Sequence, residues 1–249
     1  MVRTERPGIT NNLVFGHVMS IKRNCLELLR RIYPELNLTD VEEIISQYDG
    51  NSGFTEKRFR LDILASDKDG NLFDLEMQTS TLMSLPQRMQ YYATGMNKMT
   101  LKPGEHYDKL RTTHAIFFCT FDPFGQGEGV YDFDFHDRKT RTIRFDAGMH
   151  IKVFNSTSQK HNLNPAIQSF LDCMNGIIDP ADSYIEQLQK DLDYYVDSGE
   201  RNYDMDKYQA ILDETARKAA EKAARKARKE ATKNTIISYI STENNKVTV

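Results

Sequence analysis

The chain has 249 residues, 39% of them hydrophobic and 28% charged, with a formal net charge of −3. That balance excludes an intrinsically disordered chain and a strongly basic, whole-surface nucleic-acid binder, though not a local basic patch. The length suits one sizeable α/β domain with appendages, or two small domains.

In chain order, the polar start "MVRTERPGITNN" shows no apolar signal-peptide core. Ile21–Leu36 then places apolar residues at Ile21, Cys25, Leu26, Leu28, Leu29, Ile32 and Tyr33, which is helical spacing with a Lys/Arg-rich opposite face. "LTDVEEIISQYD" reads equally as a short helix or a strand. After the turn-rich "DGNSGFTE" come two strands, Arg58–Ala65 and Leu72–Gln78, joined by the hairpin chemistry of "SDKDGN". Leu85–Met99 reads as a helix with Pro86 in its first turn. "HAIFFCTFD" is a strand buried on both faces. "VYDFDFHD", "TRTIRFDAG" and "HIKVFN" suggest further strands, and Asn164–Ile177 a helix. Ala181–Asp206 is acidic with modest helical spacing. Glu214–Lys233 carries eight Lys/Arg against three Glu, a local charge of +5, on a long helix with an alanine stripe. The three cysteines, Cys25, Cys119 and Cys173, form no CxxC pair. They argue against a zinc ribbon or disulfide framework and suit a reducing cytoplasm. No run approaches the ~18 apolar residues of a membrane span.

The chemistry concentrates in the hairpin. Alternation puts Glu76 and Gln78 on one face of their strand, and Arg60 and Asp62 on one face of the other. A three-residue loop, Lys68-Asp69-Gly70, with Gly70 left-handed would pair Asp67 with Asn71. Counting back, Asp62 then faces Glu76 and Arg60 faces Gln78, with opposed Cβ atoms roughly 4.5–5.5 Å apart. A two-residue Asp-Gly loop would instead shift the register by one and send the acids to opposite faces. Two like charges so close repel, and a hard divalent ion such as Mg²⁺ between them relieves the repulsion. Such an ion suits phosphodiester hydrolysis. Gln78 has an amide to orient a water but no charge and no base. The bland alternative is an ion-paired hairpin with a polar outer face, Arg60 neutralising the acids.

"RLDILASDKDGNLFDLEMQ", then "LPQRMQYYATGM", "GEHYDKL" and "IFFCTFDPFGQGEGVYDF", resembles the PD-(D/E)XK nuclease family transposases, the Rpn-type recombination-promoting nucleases. The resemblance covers roughly Asn11 to Tyr203. It implies an α/β fold of restriction-endonuclease type, a mixed central sheet flanked by helices, here with a helical C-terminal extension. The nuclease-like domain is expected over 1–180 and the extension over 181–249. The resemblance also implies DNA cleavage dependent on Mg²⁺ or Mn²⁺. Asp62 matches the strand aspartate, Glu76 the acid of the (D/E)xK signature, and Gln78 the position that is lysine in the wider superfamily and commonly glutamine in this branch. The peptide carbonyl of Met77 would complete the metal ligands beside Asp62 and Glu76. Lys57, Arg60, Arg88 and Tyr91 match basic and aromatic positions that would face DNA. Two departures stand out. Asn12 occupies an aspartate position of the branch, and Glu27 is the only well-placed acid on the first helix.

Other features read as structure. "GQGEG" lacks phosphate-loop spacing and is a turn. Tyr92 reads as core. His136, sharing a strand face with Asp132 and Asp134, reads as surface. The basic tail has three open readings: a solvated helix, a self-association helix giving a homo-oligomer, or a clamp on the DNA backbone. The leading expectation is a Mg²⁺-dependent DNA endonuclease associated with mobile elements. The alternative is a catalytically silent DNA-binding or interaction protein on the same fold.

Overall fold

The computed structural model describes residues 6–50, 59–81, 84–160 and 163–200, with 202, 204 and 217. The compact unit that contains nearly all of them runs from Met1 to Arg201. The basic tail, Arg217 apart, lies outside the described residues, as does Lys57.

Helices α1 (Asn12–Ser20) and α2 (Lys22–Ile32) open the fold, followed by a single 3₁₀ turn, Pro34–Leu36. Strands β1 (Glu43–Gly50), β2 (Phe59–Ser66) and β3 (Leu72–Gln78) form an antiparallel meander. Helix α3 (Leu85–Met99) leads to β4 (Thr113–Cys119), which pairs parallel to β3. Strand β5 (Val130–Phe133) pairs antiparallel to β6 (Met149–Asn155), itself parallel to β4. Helices α4 (Pro165–Met174) and α5 (Ser183–Asp197) close the unit. The six-stranded sheet has the order β1-β2-β3-β4-β6-β5. This is the restriction-endonuclease-like mixed sheet flanked by helices that the motifs imply.

The ambiguous "LTDVEEIISQYD" is strand, because β2 offers an edge on which residues 43–50 pair. "TRTIRFDAG" is not a strand; among its residues only Arg144 makes a bridge, to His136. Strand β5 stops at Phe133, paired with Ile151 two residues inside β6, so Asp134 and His136 lie beyond the ladder.

Side-chain alternation on the central strands divides the core. Phe73, Leu75 and Met77 of β3, with Ile116 and Phe118 of β4, pack under α1, α2, α4 and α5. Ala115, Phe117 and Cys119 of β4 pack under α3. Asn11 caps α1 by accepting from the amides of Leu13 and Val14. Arg31 of α2 grips Asp182, the N-cap of α5, with Nη2 at 2.7 Å from Oδ1, and its guanidinium lies 4.3 Å from the Tyr184 ring centre. Tyr184, Ile185, Leu188, Leu192 and Tyr195 of α5 belong to the same core. Helix α3 comes down hard on β2 at Gly95, where a Cβ would stand 2.8 Å from the Phe59 ring. Among the described residues no helix is long and apolar enough to cross a membrane.

The β2–β3 turn is the three-residue loop. The amide of Asp67 donates to the Asn71 carbonyl at 3.1 Å, and Gly70 takes φ +78. The Asp67 carboxylate fastens the loop by accepting from the amides of Asp69 and Asn71, both at 2.9 Å, and from the Asn71 side chain at 2.8 Å. The ladder that follows pairs Ser66 with Leu72 and Ile63 with Leu75. Gly70→Ala forces an L side chain into a left-handed conformation, so urea denaturation should show a loss of about 1–2 kcal/mol.

Candidate active site

The β2–β3 register, carried one pair past Ile63–Leu75, sets Asp62 against Glu76. At that point the backbone ladder ends and the two carboxylates take its place. The amide of Asp62 donates to Glu76 Oε1 at 2.9 Å, and the amide of Met77 donates to Asp62 Oδ2 at 3.1 Å. Each acid thus satisfies a backbone donor on or beside the other strand, so neither strand edge is left unpaired where the hairpin opens.

The opening has a second cause in β2 itself. Ile63 packs in the α1/α2 layer, whereas Leu61 and Phe59 pack under α3. Residues two apart in one strand therefore land on opposite faces, and the strand turns over at Asp62. Its neighbour in β1, Gln47, leaves the ladder with φ +56. This corrects one expectation from alternation. Arg60 does not face Gln78; its Nη1 is 3.4 Å from Gln47 Oε1, toward β1.

Gln78 and Arg88 complete the cluster. Gln78 Nε2 donates to Glu76 Oε2 at 3.1 Å. Arg88, on the first turns of α3, donates from Nη2 to the same Glu76 oxygen and from Nη1 to Gln78 Oε1, both at 3.3 Å. Its guanidinium lies 4.9 Å from the Tyr92 ring centre. Tyr92, read as core, therefore holds the arginine from below. Tyr91 is 38% exposed and sets its ring edge-on to Phe59 at 6.1 Å. Glu27 pairs with Arg31 at 3.2 Å, in the layer on the other side of the sheet, and does not join the acids. Asn12 is exposed beside the Asn11 cap.

One residue escaped the sequence reading. Asp74 lies two before Glu76 on the same face of β3, is fully buried, and neither carboxyl oxygen has a hydrogen-bond partner among the described residues. The signal was present in the alternation of "FDLEMQ", where residues 74, 76 and 78 share a face.

Burial raises the carboxyls of Asp62, Asp74 and Glu76 above their ordinary values. For Glu76 the neighbouring Asp62 adds to the effect, and for Asp74 both other acids do. Arg88 acts in the opposite sense on all three, and Arg60 on Asp62. The cluster therefore holds more carboxyl than its cations can neutralise. Among the described residues no group of three or more His, Cys, Asp or Glu side chains is gathered as a metal cage. Two adjacent carboxylates in a charge-deficient cluster nevertheless fit an ion that takes one or two protein carboxylates and leaves its other positions to water and substrate.

The family model of the PD-(D/E)XK nuclease family transposases matches residues 13–236. The chain belongs to that family. No curated protein and no solved structure gives a match. Family membership makes this a nuclease-type domain related to transposition, of a group that typically uses divalent metals on DNA.

A raised carboxyl favours the folded state below its unfolded pKa and loses that advantage as pH rises toward the folded value. Asp74→Asn removes that loss. The variant should be more stable than the parent by about 1–3 kcal/mol at neutral pH. The gap should close as pH falls toward ~4, the unfolded value of an aspartate, in urea denaturation measured across that range.

Proposed function

We propose that the chain is a Mg²⁺-dependent DNA endonuclease, with Mn²⁺ as a substitute, acting in transposition or recombination of mobile elements in the cytoplasm. The observation that carries this reading is the crossed pair of carboxylates at the point where the hairpin opens. An ordinary exposed hairpin has no reason to bury two acids and route two backbone donors into them.

In this reading Asp62 and Glu76 would hold the ion, with the Met77 carbonyl as a further ligand. Such an ion, when bound, would supply polarisation of a phosphoryl oxygen and a lowered pKa for a coordinated water. Gln78 orients the attacking water. Its amide is already fixed by Glu76 and Arg88, so little rotamer freedom is lost when it does so. Arg88 spans the acid and the amide with one planar fork, and its remaining positive edge faces phosphate. Arg60, Lys57 and Tyr91 are assigned to the DNA backbone, and the attack is hydrolytic, without a covalent enzyme intermediate.

The competing reading is a catalytically silent DNA-binding protein. It rests on the same arginine, because the Arg88–Glu76 ion pair uses a carboxylate oxygen that a cation would otherwise take.

Supercoiled plasmid with Mg²⁺ or Mn²⁺ separates the two. The wild-type chain should nick it, Asp62→Asn and Glu76→Gln should each reduce the rate about a hundredfold or more, and Gln78→Ala about tenfold. Equal nicking by wild type and the acid variants would leave the silent reading standing.

A further inference from the structure

The other end of the sheet carries a cavity of about 740 Å³, within the ordinary size of small-molecule sites. It opens between the β2–β3 turn, the 3₁₀ turn and the starts of β4 and β6, on the face of the sheet opposite Glu76. Strand register builds its floor. Phe73 pairs with His114 and His114 with His150 on three adjacent strands, and their rings stack at 4.8 and 4.9 Å.

The walls are negative. Six Asp or Glu residues line the cavity against Arg144 and Lys152. Asp134 is neutralised by Arg144 at 2.7 Å and Asp132 by Lys152 at 3.1 Å. Asp67 is committed to the turn amides. Glu35, Asp69 and Asp146 have no cationic partner among the described residues.

Two polar groups in the lining, each on a side chain more than nine-tenths buried, also lack a hydrogen-bond partner among the described residues: Tyr33 Oη and His114 Nδ1. Burial, with His150 and Lys152 alongside, holds the His114 imidazole down to about 3, so the ring is neutral and offers an acceptor nitrogen. The unanswered groups are thus carboxylates, an imidazole nitrogen and a phenol oxygen. A ligand that answers them brings positive charge and N–H donors. Charge repels nucleotides and DNA from this cavity. The unpaired carboxylates sit on three separate segments, so charges spread along a flexible chain match them better than one metal ion does. The cavity already accommodates an alkylammonium, since Lys152 Nζ lies 4.4 Å from the Tyr33 ring centre.

We propose that this cavity binds a small aliphatic polyamine, its ammonium groups answering Glu35, Asp69, Asp146, Tyr33 and His114. The site shares no side chain with the nuclease centre, so it stands or falls independently of that reading.

The test is calorimetric titration of spermidine into the full chain, in about 0.15 M salt to screen loose surface attraction and with excess Mg²⁺ present. Saturable binding is expected. The exposed double variant Asp69→Asn/Asp146→Asn should weaken it about tenfold. His114→Phe, which keeps the ring ladder but removes the buried acceptor, should also weaken it, and Asp62→Asn should leave it unchanged. Equal affinity in wild type and the double variant, or abolition of binding by Mg²⁺ at matched charge, overturns the proposal. Tighter binding of a lysine tripeptide than of spermidine overturns the assignment to a small ligand.

Discussion

The geometry of the candidate centre depends on two hydrogen bonds that cross between strands: Asp62 N–H to Glu76, and Met77 N–H to Asp62. Beyond Ile63–Leu75 the hairpin no longer pairs backbone to backbone. A plain opening would leave buried donors unsatisfied, at a cost of about 1–3 kcal/mol each. The carboxylates remove that cost and in doing so are themselves fixed in place. The same pair of bonds therefore ends the ladder, holds the strands at their working separation and aims both acids. Substituting either acid disturbs all three at once, which is why conservative amide variants, not alanines, separate chemistry from architecture.

Those bonds concentrate charge where burial makes charge expensive. Asp62, Glu76 and Asp74 all lie under α3, and all are held above their ordinary pKa. Arg88 is the cation in contact with the cluster, and it is placed by packing as much as by attraction. Gly95 lets α3 approach the Phe59 ring, and Tyr92 supports the guanidinium. In the proposed nuclease reading, Arg88 supplies the positive charge that an amide at position 78 lacks. Gln78 carries no charge, but it bridges Glu76 to a residue that does. The positive charge beside Glu76 sits on the first turns of α3, not on β3.

The hairpin register was legible because its determinants are local. Asp67, Gly70 and Asn71 lie within five residues, and once the turn closes, alternation carries the register to Asp62 and Glu76. Alternation failed for Arg60 because its cause is remote. The inversion of β2 at Asp62 coincides with Gln47 leaving the β1 ladder at positive φ, which no window around Arg60 contains. The strand expected in "TRTIRFDAG" is missing for a similar reason: apolar alternation needs a neighbouring edge, and β5 ends at Phe133. Asp74 was legible in parity but carries no motif, so its significance comes only from its burial and lack of partners. The family resemblance ordered the motifs along the chain, while the reason the two acids meet is physical and lies in the turn.

The parity that places Glu76 also separates the two ends of the sheet. On β3, Asp74, Glu76 and Gln78 face α3, while Phe73 faces the other layer; on β4, His114 does the same. The acids of the candidate centre and the ring ladder of the cavity are therefore interleaved on one pair of strands yet point in opposite directions. Substitutions at the exposed cavity rim share no partner with Asp62 or Glu76, so their effects should add rather than couple. A register slip of one residue is different, because it would exchange the faces of both sites together. The Asp67–Gly70 turn guards against that slip. It sits against the cavity, and it sets the register on which the candidate centre depends.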